Sequence, residues 1–368
     1  MSELKTNKIQ TNDTNNVAID NSLNLKSYTT TQRDALTSVA GDMIYNTTTS
    51  KVEYYNGSSW ESGLSEITVE YLIVAGGGSG GRGEGVSAGG AGGGGGAGGL
   101  RASISNTGGG GTTESDTSVV VGGQAITITV GAGGASPSTN GSSGNQGSDS
   151  SIGNIIAVGG GRGAGDQSNT IGTVGGSGGG NGGDNGGTSA ASGTTNQGFG
   201  GGLRDSSQRA GGGGGGAGEA GNTDGGTAAQ RGGDGVINTI ITTSAATTYS
   251  VGEVIGSDVH YAGGGGGGTG ANVNYNAEGG DGGGGNGGNH YNQNVQSGTA
   301  NTGGGGGGGG SGGGSPGAGG SGVIIIKIPD SNSATVGAGL TEATSGNLST
   351  GGYKYYIFTA GTGAVTFS

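Results

Sequence analysis

The chain has 368 residues, of which 105 are glycine, 28% are hydrophobic and none is cysteine. Most of it therefore lacks the side chains to build a conventional core, and neither a disulfide framework nor a zinc–cysteine site is possible. The formal charge of −12 speaks against a nucleic-acid partner, because phosphate binding needs clustered Lys and Arg.

Residues 1 to 65 differ in kind from the rest, with little glycine and much Asn and Thr. The opening "MSELKTNKIQTNDTNN" is polar and has no apolar signal core, so a cytoplasmically made soluble protein is expected. "TTTQRDALTSV" carries a Thr cap and predicts one or two helical turns. In "GDMIYNTTTSKVEYYNGSSWES", residues 43 to 45, 51 to 55 and 59 to 61 read as three short strands joined by polar turns. An independent domain of this size is marginal, and so few apolar residues point to burial against copies of itself or another subunit.

From residue 66 a second scheme takes over. "ITVEYLIVA", "AITITVGA", "NIIAVGG", "GVINTIITT", "GVIIIKIP" and "YKYYIFTAGTGAVTFS" read as strands, and they alternate with glycine tracts at irregular intervals. The expected boundary divides 1–65 from a glycine-rich domain, 66–368, closed by strands 323–329 and 353–368. Fixing a residue's backbone costs about 1–2 kcal/mol, so ordered glycine tracts need an opposing term. Polyglycine-II helices supply it: three residues per turn leave every N–H and C=O pointing sideways, and neighbouring rods can satisfy them at about 1 kcal/mol net per bond. The fold class expected is mainly β and irregular, with short strands framing a lattice of packed polyglycine-II helices.

The lattice makes demands on the sequence. Side chains within a tract should point outward at spacings of three, as with Ala91 and Ala97, or Ser315, Ala318 and Ser321. Ser177 and Asn181, like Asp281 and Asn286, break that spacing and are expected at the rim. Tracts 211–216, 263–268 and 303–310 have no side chain at all and are expected at the centre.

Chemical motifs are sparse. Repeats of GxGxxG follow from composition and sit in no strand–turn–helix unit. "GGSGG" at 77–81 and 175–179 has no triad partners in an α/β context. "GGNGGDNGG" at 179–187 resembles one calcium nonapeptide but is not tandemly repeated. His260 and His290 lie far apart, and His260 is assigned to the scaffold; Arg82, Arg162 and Arg231 are assigned to tract ends or the rim. No catalytic residue, metal or cofactor is expected. The loops remain, above all 271–278 and 289–301, where Asn, Gln, Tyr and His concentrate between tracts. Tyr offers a stacking face, and amides both donate and accept. Asn272, Asn274, Tyr275, His290, Tyr291, Asn292 and Gln293 are the expected recognition surface, with 203–210 a weaker third loop; deleting 289–301 should abolish recognition and leave the fold intact.

Both regions of the chain carry a resemblance. The segment "GDMIYNTTTSKVEYYNGSSWES" resembles one common in tailed-phage fibre proteins, and "VEYLIVAGGGSGG", "ITITVGAGG", "HYAGGGGGG", "NTGGGGGGGG" and "GGSGVIIIKIP" are similar to the glycine-rich domain of phage tail fibres and tip adhesins. The resemblance implies a non-enzymatic virion protein whose variable end loops bind a host outer-membrane protein or glycan. Residues 1–65 would then join other tail proteins and form a homo-oligomer, with a trimer expected. A purely structural virion component without a receptor is the alternative, and an ice-binding protein ranks behind both, because Thr and Ala do not repeat on one face.

Overall fold

The computed structural model describes residues 24–62, 66–85, 89–114, 118–121, 123–166, 171–183, 189–222, 230–270, 275–291, 294–344 and 348–368. The chain divides into two compact units, Met1–Ser65 and Glu66–Ser368.

In the first unit, strands β1 (Ser27–Tyr28), β2 (Met43–Asn46), β3 (Lys51–Tyr55) and β4 (Trp60–Ser62) pair in that order, with helix α1 (Thr30–Asp34) after β1. A complete capping box starts α1: the Thr29 hydroxyl accepts from the Gln32 N–H while the Gln32 side chain accepts from the Thr29 N–H. The interior is polar. Asn46 and Glu53 are buried together, and Glu53 accepts from Arg33 at 2.8 Å and from Asn46 at 3.0 Å. Met43, Tyr45 and Tyr54 are exposed, and Met43 faces Tyr54 across the β2–β3 pair. The unit thus leaves apolar surface open on the sheet face opposite Ile44, its one buried aliphatic among the described residues.

The second unit is mostly strand and irregular backbone. Its elements are β5 (Glu66–Val74), β6 (Leu100–Ala102), β7 (Ser118–Val121), β8 (Ala125–Val130), β9 (Ser150–Ile152), β10 (Ile155–Ala157), β11 (Val236–Ile237), α2 (Thr243–Tyr249), β12 (Glu253–Ile255), β13 (Asp258–Tyr261), β14 (Val323–Pro329), β15 (Ala334–Val336), β16 (Leu340–Glu342), β17 (Leu348–Thr350) and β18 (Tyr353–Phe367). The main sheet runs β10-β9-β8-β18-β14-β5-β6, with β15 to β17 also paired to β18 and β7 to β5. Continuous apolar runs such as "VIIIKI" occur because both faces of this sheet are covered. Ile324, Ile326 and Ile328 join Ile73, Tyr71 and Phe358 in one core, while Val323 and Ile325 join Leu72, Val74 and Ile357 in another, beneath Ala246 of α2 and Tyr261. Helix α2 was not expected from the sequence; it starts at the Thr242 cap and stops where Ser250 turns left-handed.

Several glycine tracts continue a strand or lead into one. β5 runs into the rod from 75, β8 into that from 131, β10 into that from 158 and β13 into that from 262, whereas the rods ending at 99, 149, 235 and 322 lead into β6, β9, β11 and β14. Polyproline-II and β backbones occupy one broad extended region of φ/ψ space, so the chain passes between them with a small adjustment. Where side chains are present, strands pair in a sheet; where they are absent, rods pack on all sides.

The rod at 91–99 shows the packing. Its N–H groups donate in turn to three neighbours: Ala91, Gly94 and Ala97 to Arg209, Gly212 and Gly215; Gly92, Gly95 and Gly98 to Gly309, Gly306 and Gly303; Gly93, Gly96 and Gly99 to Ala164, Gly161 and Val158. Its carbonyls accept from three more, the rods that contribute Gly78 and Gly81, Gly265 and Gly268, and Ser177, Gly180 and Gly183. All these bonds measure 2.8–3.1 Å. Partners recur at every third residue, as a helix of three residues per turn requires. Some neighbours run parallel and others antiparallel, so the lattice is mixed.

Tracts 211–216, 263–268 and 303–310 are buried throughout, at the interior position expected of them. The outward rule needs correction. Ala91 and Ala97 are fully buried inside the lattice, and so are Ser177 and Asn181, which were expected at the rim. Asn181 acts as a substitute rod: its Oδ1 accepts from Gly172 N–H at 3.1 Å and its Nδ2 donates to the Ser189 carbonyl at 2.8 Å. Asn286 does the same at a half-buried position, accepting from Gly279 N–H at 2.8 Å. An amide carries the same donor and acceptor as a peptide unit, so it fits where a neighbour is missing.

Candidate functional site

Rods of this kind must turn around at both ends. One end is occupied by the strands; at the other, the turns bring the polar loops together. Rod 91–99 starts there, beside Arg209, Gly183, Gly309 and Ala164, and ends at the sheet beside Val158. Nine residues at about 3.1 Å each separate Ala91 from Leu100 by roughly 28 Å.

Side chains at this far end tie the turns to one another. The Arg82 guanidinium donates to the Ser138 carbonyl at 2.9 Å and to the Gly313 carbonyl at 3.0 Å, so it holds two other turns in place. Buried Asp166 accepts from Gly90 N–H at 2.6 Å. Arg204 reaches the Gly183 carbonyl at 3.3 Å, and in the same loop Asp205 accepts from the N–H and hydroxyl of Ser207 at 2.8 and 2.7 Å.

The loops around 275 and 290 are joined directly. Asn289 Nδ2 donates to Asn276 Oδ1 at 2.6 Å, and Asn276 Nδ2 donates to the Asn294 carbonyl at 3.2 Å. The Tyr291 N–H donates to Asn289 Oδ1 at 3.0 Å, and His290 Nδ1 lies 2.9 Å from the Ser311 hydroxyl. The rings of His290 and Tyr291 meet edge to face, with centroids 4.8 Å apart and planes at 88°. Tyr291 is 68% exposed, a large aromatic face held out from a fixed turn. Tyr275 is half-buried, its carbonyl accepting from the Thr269 hydroxyl at 3.2 Å. Burial first, and the Asp205 carboxylate second, push the Tyr275 phenol above its ordinary range, so it stays a neutral donor at physiological pH.

Of the expected set, the structure brings Tyr275, His290 and Tyr291 into one neighbourhood. Asn272, Asn274, Asn292 and Gln293 lie outside the described residues, as do residues 184–187 of the calcium-like segment. The sequence had not singled out Asn276, Asn289 and Ser311, which fix the loops; their position at the edge of glycine tracts was the available signal. The loop at 289–301 is also shorter than expected. Gln296 donates to Asn286 and accepts from Gly307, and Thr299 donates to Gly283, so this part is lattice. Deleting 289–301 would remove a rod as well as a loop.

Among the described residues no group of His, Cys, Asp and Glu is placed to hold a metal ion, and no helix is long and apolar enough to cross a membrane. The arrangement offers aromatic faces, amides and hydroxyls on a rigid base.

Residues 49–329 match the family model described as a glycine-rich domain. Neither the search of curated proteins nor that of solved structures returned a match.

Proposed function

We propose that this chain, which belongs to the glycine-rich domain family over residues 49–329, is a bacteriophage tail-fibre or tail-tip adhesin whose far-end loops bind a host outer-membrane protein or glycan. The observation that carries the reading is the joining of the 275 and 290 loops through Asn276 and Asn289, with Tyr291 presented on top. A loop fixed before binding loses less entropy on contact, so a small polar surface can bind usefully. Several copies per particle would add avidity.

Residues 1–65 would attach the chain to the tail and assemble it as a homotrimer. The exposed Met43, Tyr45 and Tyr54 support this, because a short sheet gains stability by covering its open apolar face. On this reading the protein is made in the host cytoplasm, acts in the virion, and is not an enzyme.

The test is adsorption by particles carrying His290→Ala together with Tyr291→Ala. An exposed aromatic at the centre of an interface is worth about 2 kcal/mol or more, roughly 30-fold in affinity. Adsorption should fall by at least 10-fold with the melting temperature unchanged. Undiminished adsorption would remove these loops from the reading. Wild-type protein that fails to bind host envelope extracts would make the chain a structural virion component.

A further inference from the structure

A polar cavity lies at the opposite end of the rods from these loops, beside β6, between the turn at 107–114 and the turn at 194–197. It has a volume of about 510 Å³, within the roughly 300–1,000 Å³ range of small-molecule sites. Its floor is an internally neutralised ion pair. Arg101 Nε donates to Glu114 Oε1 at 2.6 Å and Arg101 Nη2 to Glu114 Oε2 at 2.9 Å, while the Tyr71 hydroxyl donates to Glu114 Oε2 at 2.6 Å. The carboxylate thereby accepts three hydrogen bonds, and the local charge is close to zero.

The walls differ in their freedom to bind. Gln197 is committed to the scaffold, accepting from Val158 N–H at 2.8 Å and donating to the Ile156 carbonyl at 3.2 Å. Buried Thr107 is turned toward the Thr112 carbonyl at 3.3 Å, within its own turn. By contrast, the side chains of Thr112, Thr113, Thr195 and Asn196, and the Arg101 Nη1 group, make no hydrogen bond with any described residue although all four residues and Arg101 line the cavity. Asn196 sits at φ 58°, a left-handed conformation fixed by its turn.

We propose that this cavity is a second ligand site, selective for an uncharged saccharide unit. Three hydroxyls and one amide each donate and accept, matching the dual character of sugar hydroxyls, and the Arg101 Nη1 group adds two N–H donors. The paired floor disfavours charged ligands: an anion would face the Glu114 carboxylate and a cation the Arg101 guanidinium. Among the described residues no aromatic side chain lines the cavity, so affinity rests on hydrogen bonds and falls in the millimolar range.

The site is independent of the far-end loops, about 28 Å away along the rods by the rise per residue, so the two readings fail separately. The test is saturation-transfer NMR on the full chain with D-glucose, D-galactose, N-acetyl-D-glucosamine and, as the charged comparison, D-glucuronate. At least one neutral sugar should give a saturable signal below about 20 mM, and D-glucuronate should give none. Thr195→Val removes a hydroxyl without changing shape, and Asn196→Gly removes the amide while tolerating the positive φ. Each should weaken binding at least 5-fold without moving the melting temperature, whereas His290→Ala with Tyr291→Ala should leave it unchanged. Titrating the host's surface polysaccharide against the free sugar distinguishes a glycan terminus from a soluble metabolite. Absence of binding by all three neutral sugars, equal binding of D-glucuronate, or unchanged binding in both cavity variants would overturn the proposal.

Discussion

Replacing Gly94 by alanine adds one methyl group at the centre of the lattice. A Cβ there would fall below 3.0 Å from the Gly265 carbonyl oxygen and carbon and from the Gly214 nitrogen, whereas ordinary contact begins at 3.4 Å. All these atoms are backbone, so no side chain can swing aside. The rods containing 214 and 265 must instead move outward by roughly 1 Å, in an interior already packed to crystal density. Three hydrogen bonds span the affected interface: Gly94 to Gly212 at 3.0 Å, Gly214 to Gly265 at 2.8 Å and Gly265 to Gly95 at 2.9 Å. At about 1–2 kcal/mol for each buried pair left imperfect, the loss is about 3–6 kcal/mol. Restricting the unfolded chain returns only about 0.4–1 kcal/mol. A domain has about 5–15 kcal/mol in all, so calorimetry should show a drop in melting temperature of roughly 5–10 °C, together with faster amide exchange in 91–99 and the rods around it. Gly256→Ala is the control: open space surrounds that position, and its φ of +61° costs about 1–2 kcal/mol. Melting of Gly94→Ala within about 2 °C of the parent would refute the close-packed lattice.

Gly94→Val should be more damaging still, and far more so than Asp281→Val. Asp281 is 45% exposed and pairs with Arg231 at 3.4 Å, a contact worth about 0–1 kcal/mol; comparative unfolding in guanidinium would expose any inversion of this order. Asn181→Ala strands the Gly172 N–H and the Ser189 carbonyl, costing about 2–4 kcal/mol, and amide exchange at Gly172 should rise; protection equal to that of the parent would show that this amide does not substitute for a rod. In the first unit, burial pushes the Glu53 carboxyl up, but hydrogen bonds from Arg33, Asn46 and Thr49 outweigh it and hold the group below its ordinary value. The unfolded chain therefore binds this proton more readily, so the stabilisation is complete above the ordinary carboxylate range and is lost as pH falls through it to the folded value. Trp60, the single tryptophan, reports on this unit, and Glu53→Gln should flatten the pH dependence of its unfolding between about pH 5 and 3; an identical acid transition in the variant would assign it to other groups.

Much of the framework could be read before any coordinates. The three central tracts, the strand pieces "YLIV", "AITITV" and "VIIIKI", the Thr cap before α1 and the hairpin of 43–55 all follow from local rules: chain extension, alternation and capping act within a few residues. The sequence also located the loops bearing Tyr275, His290 and Tyr291, because Asn and Tyr stand out between tracts of glycine. It failed where a residue's role depends on what lies beside it from far along the chain. Asn181 looked like a rim residue and is a buried replacement for a rod, since its amide meets Gly172 and Ser189 only after folding. Gln296 and Thr299 looked like loop and are lattice, since the carbonyl and N–H groups that define them belong to other rods.

The sequence by itself thus determined that the backbone, with too few side chains to bury, has to be satisfied sideways, and that three residues per turn would do it. Only the tertiary structure decided which rods are neighbours, which run parallel, and which turns meet at each end. The reason is physical. Glycine carries no side chain to distinguish one rod from another, so register and adjacency are set by the strands at one end, by the lengths of the connections, and by the few amides and guanidinium groups that close the gaps.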